Sequence, residues 1–168
     1  MHYTGTIWRP PYEASSLLLE ATAGCTHHRC KFCTLYADLP FPFRMSRLSD
    51  MEEDLKEAEE LYHHRMGRRM SRVFLTGANP FVLKYEKLMK IAERIRAYFP
   101  EVKTIGSFAR VTDITGKTDE ELAALGRAGY DGLTIGMETA DETALAFMDK
   151  GCLLYTSPSP RDRTRSRM

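Results

Sequence analysis

Four short apolar segments, each followed by an amphipathic segment, constrain the fold of this 168-residue chain more than any other feature. Residues 16–22, 72–76, 102–108 and 132–136 are the predicted strands. When a helix separates consecutive strands, the strands pair in parallel. The alternation therefore predicts an α/β fold with about four β/α units, a parallel sheet and helices outside it. Two architectures satisfy this pattern, a (β/α) barrel and an open doubly wound sheet.

The amphipathic segments carry helix-start signals. Ser49 with Glu52 and Thr118 with Glu121 have the spacing of capping boxes, and Asp141 is a predicted N-cap. The first helix is predicted at about residues 50–66, and the third is expected to stop near Gly129. The predicted apolar faces consist of Met51, Leu55, Ala58 and Tyr62, then Leu88, Ile91, Ala92 and Ile95, then Leu122 and Leu125, and finally Leu145 and Met148.

Three of the four cysteines, Cys25, Cys30 and Cys33, fall within nine residues directly after the first predicted strand. No apolar run approaches the ~20 residues needed to cross a bilayer, and the first residues lack the apolar region of a secretory signal. We therefore expect a cytoplasmic protein. In that reducing compartment, metal binding or catalysis is a better interpretation of the cysteines than disulfides.

The last cysteine, Cys152, opens a segment of different character, residues 152–168, with four Arg and no apolar period. The codons that would encode this segment resemble the adapter used in short-read DNA library preparation. We therefore interpret residues 152–168 as a non-native tail and residues 1–151 as the native part. Without the tail, the chain has 20 basic and 22 acidic residues. This balance gives no reason to expect a nucleic-acid or membrane partner.

Another basic group, His63, His64, Arg65, Arg68 and Arg69, lies at the end of the first predicted helix. Cations are favoured there by the helix dipole, and solvated charge is the default interpretation of such a group. It adds no reason to expect nucleic acid.

Two kinds of metal site fit the cysteine loop. Three thiolates can bind three corners of an iron-sulfur cube and leave one iron open. The same cysteines with His27 or His28 could instead hold a structural zinc in a Cys3His site. The position of the loop, after a buried first strand of an α/β unit, favours the cluster.

Polar residues follow the other predicted strands at the same edge of the sheet, where parallel α/β folds bind their ligands. Gly77 and Asn79 follow the second strand. Ser107 and Arg110 lie at the end of the third, and Glu138 follows the fourth. The sequence therefore predicts one ligand site lined by these residues and by the cysteine loop.

Residues 14–151 resemble the N-terminal part of the radical S-adenosylmethionine (radical SAM) enzymes. The likeness consists of the cysteine triplet with Phe32 before its last member, the glycine turn at Gly77, and the segment 132–141, which resembles that of coproporphyrinogen oxidase and methylthiotransferase cores. The first gap of the triplet has four residues where the family usually has three. Gly77-Ala78-Asn79 stands where many members have Gly-Gly-Glu.

The resemblance implies a partial TIM-like barrel that binds a 4Fe-4S cluster through Cys25, Cys30 and Cys33, together with S-adenosylmethionine. The enzyme would cleave this molecule reductively to a 5′-deoxyadenosyl radical, which abstracts hydrogen from an unidentified small-molecule or other substrate. A flavodoxin- or ferredoxin-type protein would donate the electron.

The resemblance also implies the contacts to S-adenosylmethionine. Phe32 would pack near the adenine, and Gly77 with Asn79 would approach the amino group. Glu138 would bind the ribose hydroxyls or the amino group, and Ser107 or Arg110 the carboxylate. A helix cap or a surface ion pair is the alternative role for each polar residue.

A complete (β/α) barrel needs about 250 residues. We therefore expect residues 1–151 to be the cluster-bearing part of a larger radical SAM core, and this fragment to be inactive alone.

Overall fold

The computed structural model of the protein describes residues 1–151. Its strands are β1 (Leu17–Glu20), β2 (Thr22–Gly24), β3 (Phe43–Met45), β4 (Arg72–Thr76), β5 (Thr104–Ala109) and β6 (Tyr130–Ile135). Its α-helices are α1 (Leu48–Glu59), α2 (Tyr85–Tyr98), α3 (Val111–Thr115), α4 (Asp119–Arg127) and α5 (Glu142–Phe147). The predicted adapter-derived tail, residues 152–168, lies outside the described residues.

The main sheet has the order β1-β4-β5-β6, and its neighbouring strands are all parallel. This confirms the predicted α/β class with four parallel strands. Spatial order follows chain order, whereas a doubly wound sheet reverses its direction of winding partway along the chain. The sheet is therefore wound in one direction, as in the wall of a (β/α) barrel.

The core lies between this sheet and the helices. Buried side chains of the strands, such as Leu19, Val73 and Ile105, belong to one cluster with those of α1 and α2. Nine of the twelve residues predicted for the apolar faces are buried: Met51, Leu55, Ala58, Leu88, Ile91, Ala92, Ile95, Leu125 and Leu145. Tyr62, Leu122 and Met148 are half-buried. The amphipathic period of about 3.6 residues thus predicted the buried face of α1, α2, α4 and α5.

The first predicted strand is two strands in the structure. Residues 16–22 were expected to form one strand, but β1 ends at Glu20 and β2 leaves the main sheet to pair antiparallel with β3. The hairpin was missed because its second strand has three residues in a proline-rich segment, too short for a period-2 pattern to be recognised.

The helix starts confirm two of three predictions. Thr118 and Glu121 form the expected capping box, and Asp141 accepts a hydrogen bond from the amide of Ala144 at 2.7 Å. The box at Ser49 is wrong, because α1 already begins at Leu48 and the Ser49 hydroxyl lies 3.1 Å from the Asp50 carboxylate instead. The first helix ends as a π-helical turn, Glu60–Arg65, and α3 was not predicted.

A buried ion pair fixes the amino end of the sheet. Glu13 ends a short 3-10 helix, Pro11–Glu13, and its carboxylate accepts hydrogen bonds from Arg72 Nε at 2.8 Å and from Arg72 Nη2 at 2.7 Å. The same guanidinium donates to Thr104 and Asp131 at the starts of β5 and β6. Arg72 therefore ties three strands to the N-terminal segment.

Within residues 1–151, no helix is both long and apolar enough to cross a membrane.

Candidate functional site

A cavity of about 230 Å³ lies at the carboxyl end of the parallel sheet. Its walls come from the loops that follow β2, β4, β5 and β6 and from the N-terminal segment. The loops after β4, β5 and β6 are distant in the sequence and meet because these strands are parallel and adjacent. The cysteine loop reaches the same edge through β2, which follows directly after β1 of that sheet.

The cysteine loop starts at Gly24, the last residue of β2. Gly24 has φ +78°, and a Cβ there would lie 2.2 Å from the carbonyl oxygen of Pro42. The next amide, that of Cys25, donates a hydrogen bond to the same carbonyl at 2.8 Å. The β2–β3 hairpin therefore sets the direction in which the loop leaves the sheet, and only glycine fits at this point.

All three predicted cluster ligands, Cys25, Cys30 and Cys33, line this cavity and are free thiols. Cys25 and Cys30 are half-buried and Cys33 is exposed. Burial raises the pKa of the Cys30 thiol, while the positive charge of Lys150 acts in the opposite direction. The half-buried Tyr36 follows the loop on the same cavity wall, and burial raises its pKa to about 12.

Within residues 1–151, no three side chains of His, Cys, Asp or Glu lie close enough together to hold one metal ion. Zn–S bonds of about 2.3 Å would put the sulfur atoms of a tetrahedral zinc site within about 4 Å of one another. An iron-sulfur cube binds each thiolate at a separate iron, so its ligands stand farther apart. Three thiols around one cavity suit the cube in donor type.

One of the two candidate histidines of the alternative zinc site, His27, makes a different contact. The His27 ring is buried, and its Nε2 lies 2.5 Å from the carbonyl oxygen of Asp149, just after α5. The amide of Lys31 donates to the carbonyl oxygen of Met148 at 3.0 Å. The cysteine loop is therefore attached to the chain that follows α5, across the mouth of the sheet.

Two basic side chains, Lys150 and Arg110, line the cavity together with the thiols. Lys150 pairs with Glu138 at 2.7 Å, and its Nζ lies 5.7 Å from the centre of the Phe32 ring. Arg110 follows β5, and its Nε is buried without a hydrogen-bond partner in the protein. A buried donor without a partner is costly. Since 28% of the Arg110 side chain is exposed, other parts of it can contact a ligand in the cavity.

Four of the six residues predicted to bind S-adenosylmethionine line the cavity with the cysteines: Phe32, Gly77, Arg110 and Glu138. The other two, Asn79 and Ser107, are fully buried behind its wall. The Ser107 hydroxyl donates to the carbonyl oxygen of Phe108 at 3.0 Å. The Asn79 amide donates to Thr26 Oγ1 at 2.8 Å and to Asp113 Oδ2 at 3.1 Å.

Gly77 reaches the cavity for a packing reason. It has φ +127°, and a Cβ there would lie 2.1 Å from the Thr22 hydroxyl. The backbone after β4 therefore crosses directly over β2, which only glycine permits. This close crossing places the backbone of Gly77 in the cavity wall.

Strained backbone surrounds the same site. In the described part of the chain, the non-glycine residues with positive φ are His28 (49°), Glu138 (65°) and Asp149 (50°). A left-handed conformation costs such residues roughly 1–2 kcal/mol each, and this kind of strain gathers at functional sites. One lies in the cysteine loop, one in the cavity wall and one at the attachment after α5.

Trp8 and Lys150 are among the cavity residues that sequence reasoning missed. Trp8 is 44% exposed and precedes every predicted element, while Lys150 follows the last one. No periodic pattern or strand end marks either residue. Only the path of the folded chain brings them to the carboxyl end of the sheet.

The family model described as the Radical SAM superfamily matches residues 19–154. No curated protein matches the chain. Among solved structures, a radical SAM enzyme, coproporphyrinogen III oxidase (HemN) from Escherichia coli, is similar with 17% sequence identity and a TM-score of 0.49. The similarity covers 80% of this chain and 30% of that one, so the chain spans less than a third of that enzyme's length.

Proposed function

Since this chain belongs to the radical SAM superfamily, a family of enzymes, we propose that its cavity binds a 4Fe-4S cluster and S-adenosylmethionine. The observation that carries this proposal is the meeting of Cys25, Cys30 and Cys33 at one cavity at the carboxyl end of a parallel sheet. Three cysteine thiolates suit a cube with one iron left for another ligand.

The cluster with S-adenosylmethionine supplies a reductive cleavage that yields methionine and a 5′-deoxyadenosyl radical for hydrogen abstraction. The three cysteines would bind and orient the cluster, and the apolar wall around them would exclude water. Lys150, which is paired with Glu138, places positive charge near the Cys30 thiol. This charge opposes the rise that burial causes in the pKa of Cys30.

The remaining wall residues hold the parts of S-adenosylmethionine. Phe32, 47% exposed beside the thiols, packs against the adenine. Arg110 binds the carboxylate through its guanidinium, and Glu138 accepts hydrogen bonds from the ribose hydroxyls or the amino group. The backbone of Gly77 lies in the wall where the amino group approaches. Asn79 and Ser107 support the wall from behind.

The wider activity is proposed from the family. Residues 1–151 form the N-terminal part of a radical SAM core, and an iron-sulfur or flavin protein supplies the electron. The cavity with both groups bound would supply the radical for hydrogen abstraction from a substrate that the described residues do not identify. A structural zinc site is the competing function for the same cysteines.

Anaerobic reconstitution with iron and sulfide separates these two functions. We expect a brown protein with about four irons per chain, whose reduced form has an electron paramagnetic resonance signal that S-adenosylmethionine alters. Replacing Cys25, Cys30 or Cys33 singly with Ser should abolish cluster binding, because each thiolate holds one iron.

Cys152→Ser is the matched control and should retain the full iron content. A colourless protein that holds one tightly bound zinc, with or without reconstitution, would contradict the cluster and support the structural site. Retention of the cluster by any one of the three loop variants would contradict the assignment of that ligand.

A further inference from the structure

The side chain of Asn79 joins two walls of the cavity without facing it. Asn79 follows β4, is fully buried, and uses both hydrogens of its amide group within the protein. We propose that Asn79 is a positioning residue: the hydrogen-bonded chain Thr26–Asn79–Asp113–Arg110 fixes the cysteine loop relative to the guanidinium on the opposite wall. That the loop held in this way binds a cluster rests on the proposed function.

On one side, Asn79 holds the residue that follows the first cysteine. Its Nδ2 donates to Thr26 Oγ1 at 2.8 Å, and its Oδ1 accepts from the Thr26 amide at 3.4 Å. Two contacts from one amide group fix both the side chain and the backbone of Thr26. They hold the four-residue gap between Cys25 and Cys30, where His28 has a left-handed backbone, against the end of β4.

On the other side, Asp113 determines how the Asn79 amide is oriented. The Asp113 carboxylate is buried and accepts from Asn79 Nδ2 at 3.1 Å and from the Arg110 amide at 2.8 Å. An ionised carboxylate can only accept, so the NH2 group of Asn79 must face it. The Asn79 oxygen is thereby turned toward the amide of Thr26.

The same carboxylate also orients Arg110. Asp113 Oδ1 accepts from Arg110 Nη2 at 3.2 Å, while Arg110 Nε stays without a partner. Arg110 and the cysteine loop line the same cavity, and both are joined through two buried side chains. A shift of Asn79 would therefore change the distance between the thiols and the guanidinium.

The test measures how well the loop is held in the cluster-free, reduced, full 168-residue chain. Brief alkylation with iodoacetamide is followed by trypsin digestion, which separates Cys25 from Cys33 because Arg29 and Lys31 lie between them. Cys33 is exposed in the structure and serves as the internal reference. Cys25 is half-buried, so its alkylation reports opening of the loop.

We expect Asn79→Ala to raise the Cys25 to Cys33 alkylation ratio about tenfold, because the loop loses two hydrogen bonds. Thr26→Val should raise the ratio about two- to tenfold, and Thr26→Ser, which keeps the hydroxyl, should restore it. The double variant Thr26→Val with Asn79→Ala should show no more than the Asn79→Ala effect, since both changes break the same contact.

Tyr130→Phe is the matched control, because it removes one buried hydrogen bond, to the Leu88 carbonyl at 2.8 Å, far from the loop. An unchanged ratio in Asn79→Ala, an equal rise in Tyr130→Phe, or multiplied effects in the double variant would overturn the proposal. If Asn79→Ala fails to fold, the Thr26→Val and Thr26→Ser pair decides it. The measurement needs no cluster, so failure of reconstitution would count against the proposed function alone.

Discussion

At the scale of single residues, buried charges are held by specific partners at both ends of the sheet. Glu13 and Asp113 are almost completely buried, and each accepts hydrogen bonds from an arginine. A buried carboxylate without such partners would destabilise the fold by several kcal/mol. These pairs therefore mark positions where substitution should have large and pH-dependent effects.

Glu13→Gln should lower the free energy of unfolding at pH 7 by about 1–3 kcal/mol, because Arg72 loses a charged partner. Hydrogen bonds from Arg72 hold the pKa of Glu13 below its ordinary value of 4.5. The stabilisation by the Glu13 carboxylate is thus complete above pH 4.5 and is lost as the pH falls from there through the lower folded-state pKa. Urea unfolding between pH 7 and pH 3 should show the wild-type advantage shrinking below pH 4.5.

Glu52→Gln is the control for this measurement. Glu52 pairs with Arg94 at 2.8 Å on the surface, where both side chains are at least a third exposed. Its loss should cost no more than about 1 kcal/mol. Equal losses in the free energy of unfolding would show that the Glu13–Arg72 pair stabilises the protein no more than an exposed pair does.

Gly24→Ala should destabilise the protein strongly, because φ is +78° and the new Cβ would meet the Pro42 carbonyl. Gly67→Ala is the matched control, since Gly67 has φ +59° but no atom within 4 Å of the added Cβ. The control isolates the cost of the left-handed backbone, about 1–2 kcal/mol. Urea unfolding should show a larger loss for Gly24→Ala, and equal losses would refute the close approach.

At the scale of elements, two sequences with the same capping-box spacing behave differently. Thr118 accepts a hydrogen bond from the amide of Glu121 and caps α4, whereas Ser49 lies inside α1. The local sequence permits a cap at both positions. Whether a cap forms at such a position depends on where the preceding chain enters the helix.

Thr118→Ala should therefore lower the free energy of unfolding by about 1 kcal/mol. Ser49→Ala should change it by no more than about 0.5 kcal/mol, because Ala is a good residue for a helix interior. Thermal or urea unfolding of the two variants, measured side by side, provides the comparison. A loss at Ser49 as large as that at Thr118 would contradict the observed start of α1.

At the scale of the whole molecule, β6 is the last strand of the described sheet. Exposed apolar side chains lie at its end and in the segment that follows it. Ile135 is 40% exposed, Met137 52% and Phe147 72%. An edge strand with unpaired backbone groups and apolar neighbours favours association between copies. This surface lies along one side of the cavity mouth.

We expect the 168-residue chain to self-associate with rising concentration, and Ile135→Lys to reduce the association, because a lysine on an edge strand opposes pairing. Sedimentation velocity at several concentrations measures this. Leu61→Lys is the control, since Leu61 is 43% exposed on the π-helical turn, away from the sheet edge. An equal reduction by both variants would assign the association to general hydrophobicity.

Local features of the sequence determined the fold class and the position of the thiols. Strand and helix periodicity, the glycine stops and the cap at Thr118 act over a few residues, so the alternation of elements could be predicted before any contact was known. The position of the cysteine triplet after the first strand also predicted its place at the carboxyl end of the sheet, because parallel strands end on the same side.

Only the tertiary structure decided which polar residues face the cavity. Asn79 follows β4 and Ser107 lies inside β5, and both are buried, while Lys150 and Trp8 reach the cavity from outside every predicted strand. The direction of a side chain at a strand end depends on what packs behind it, and for Asn79 that is Asp113, 34 residues away. The site thus depends on contacts between distant segments, which no local pattern encodes.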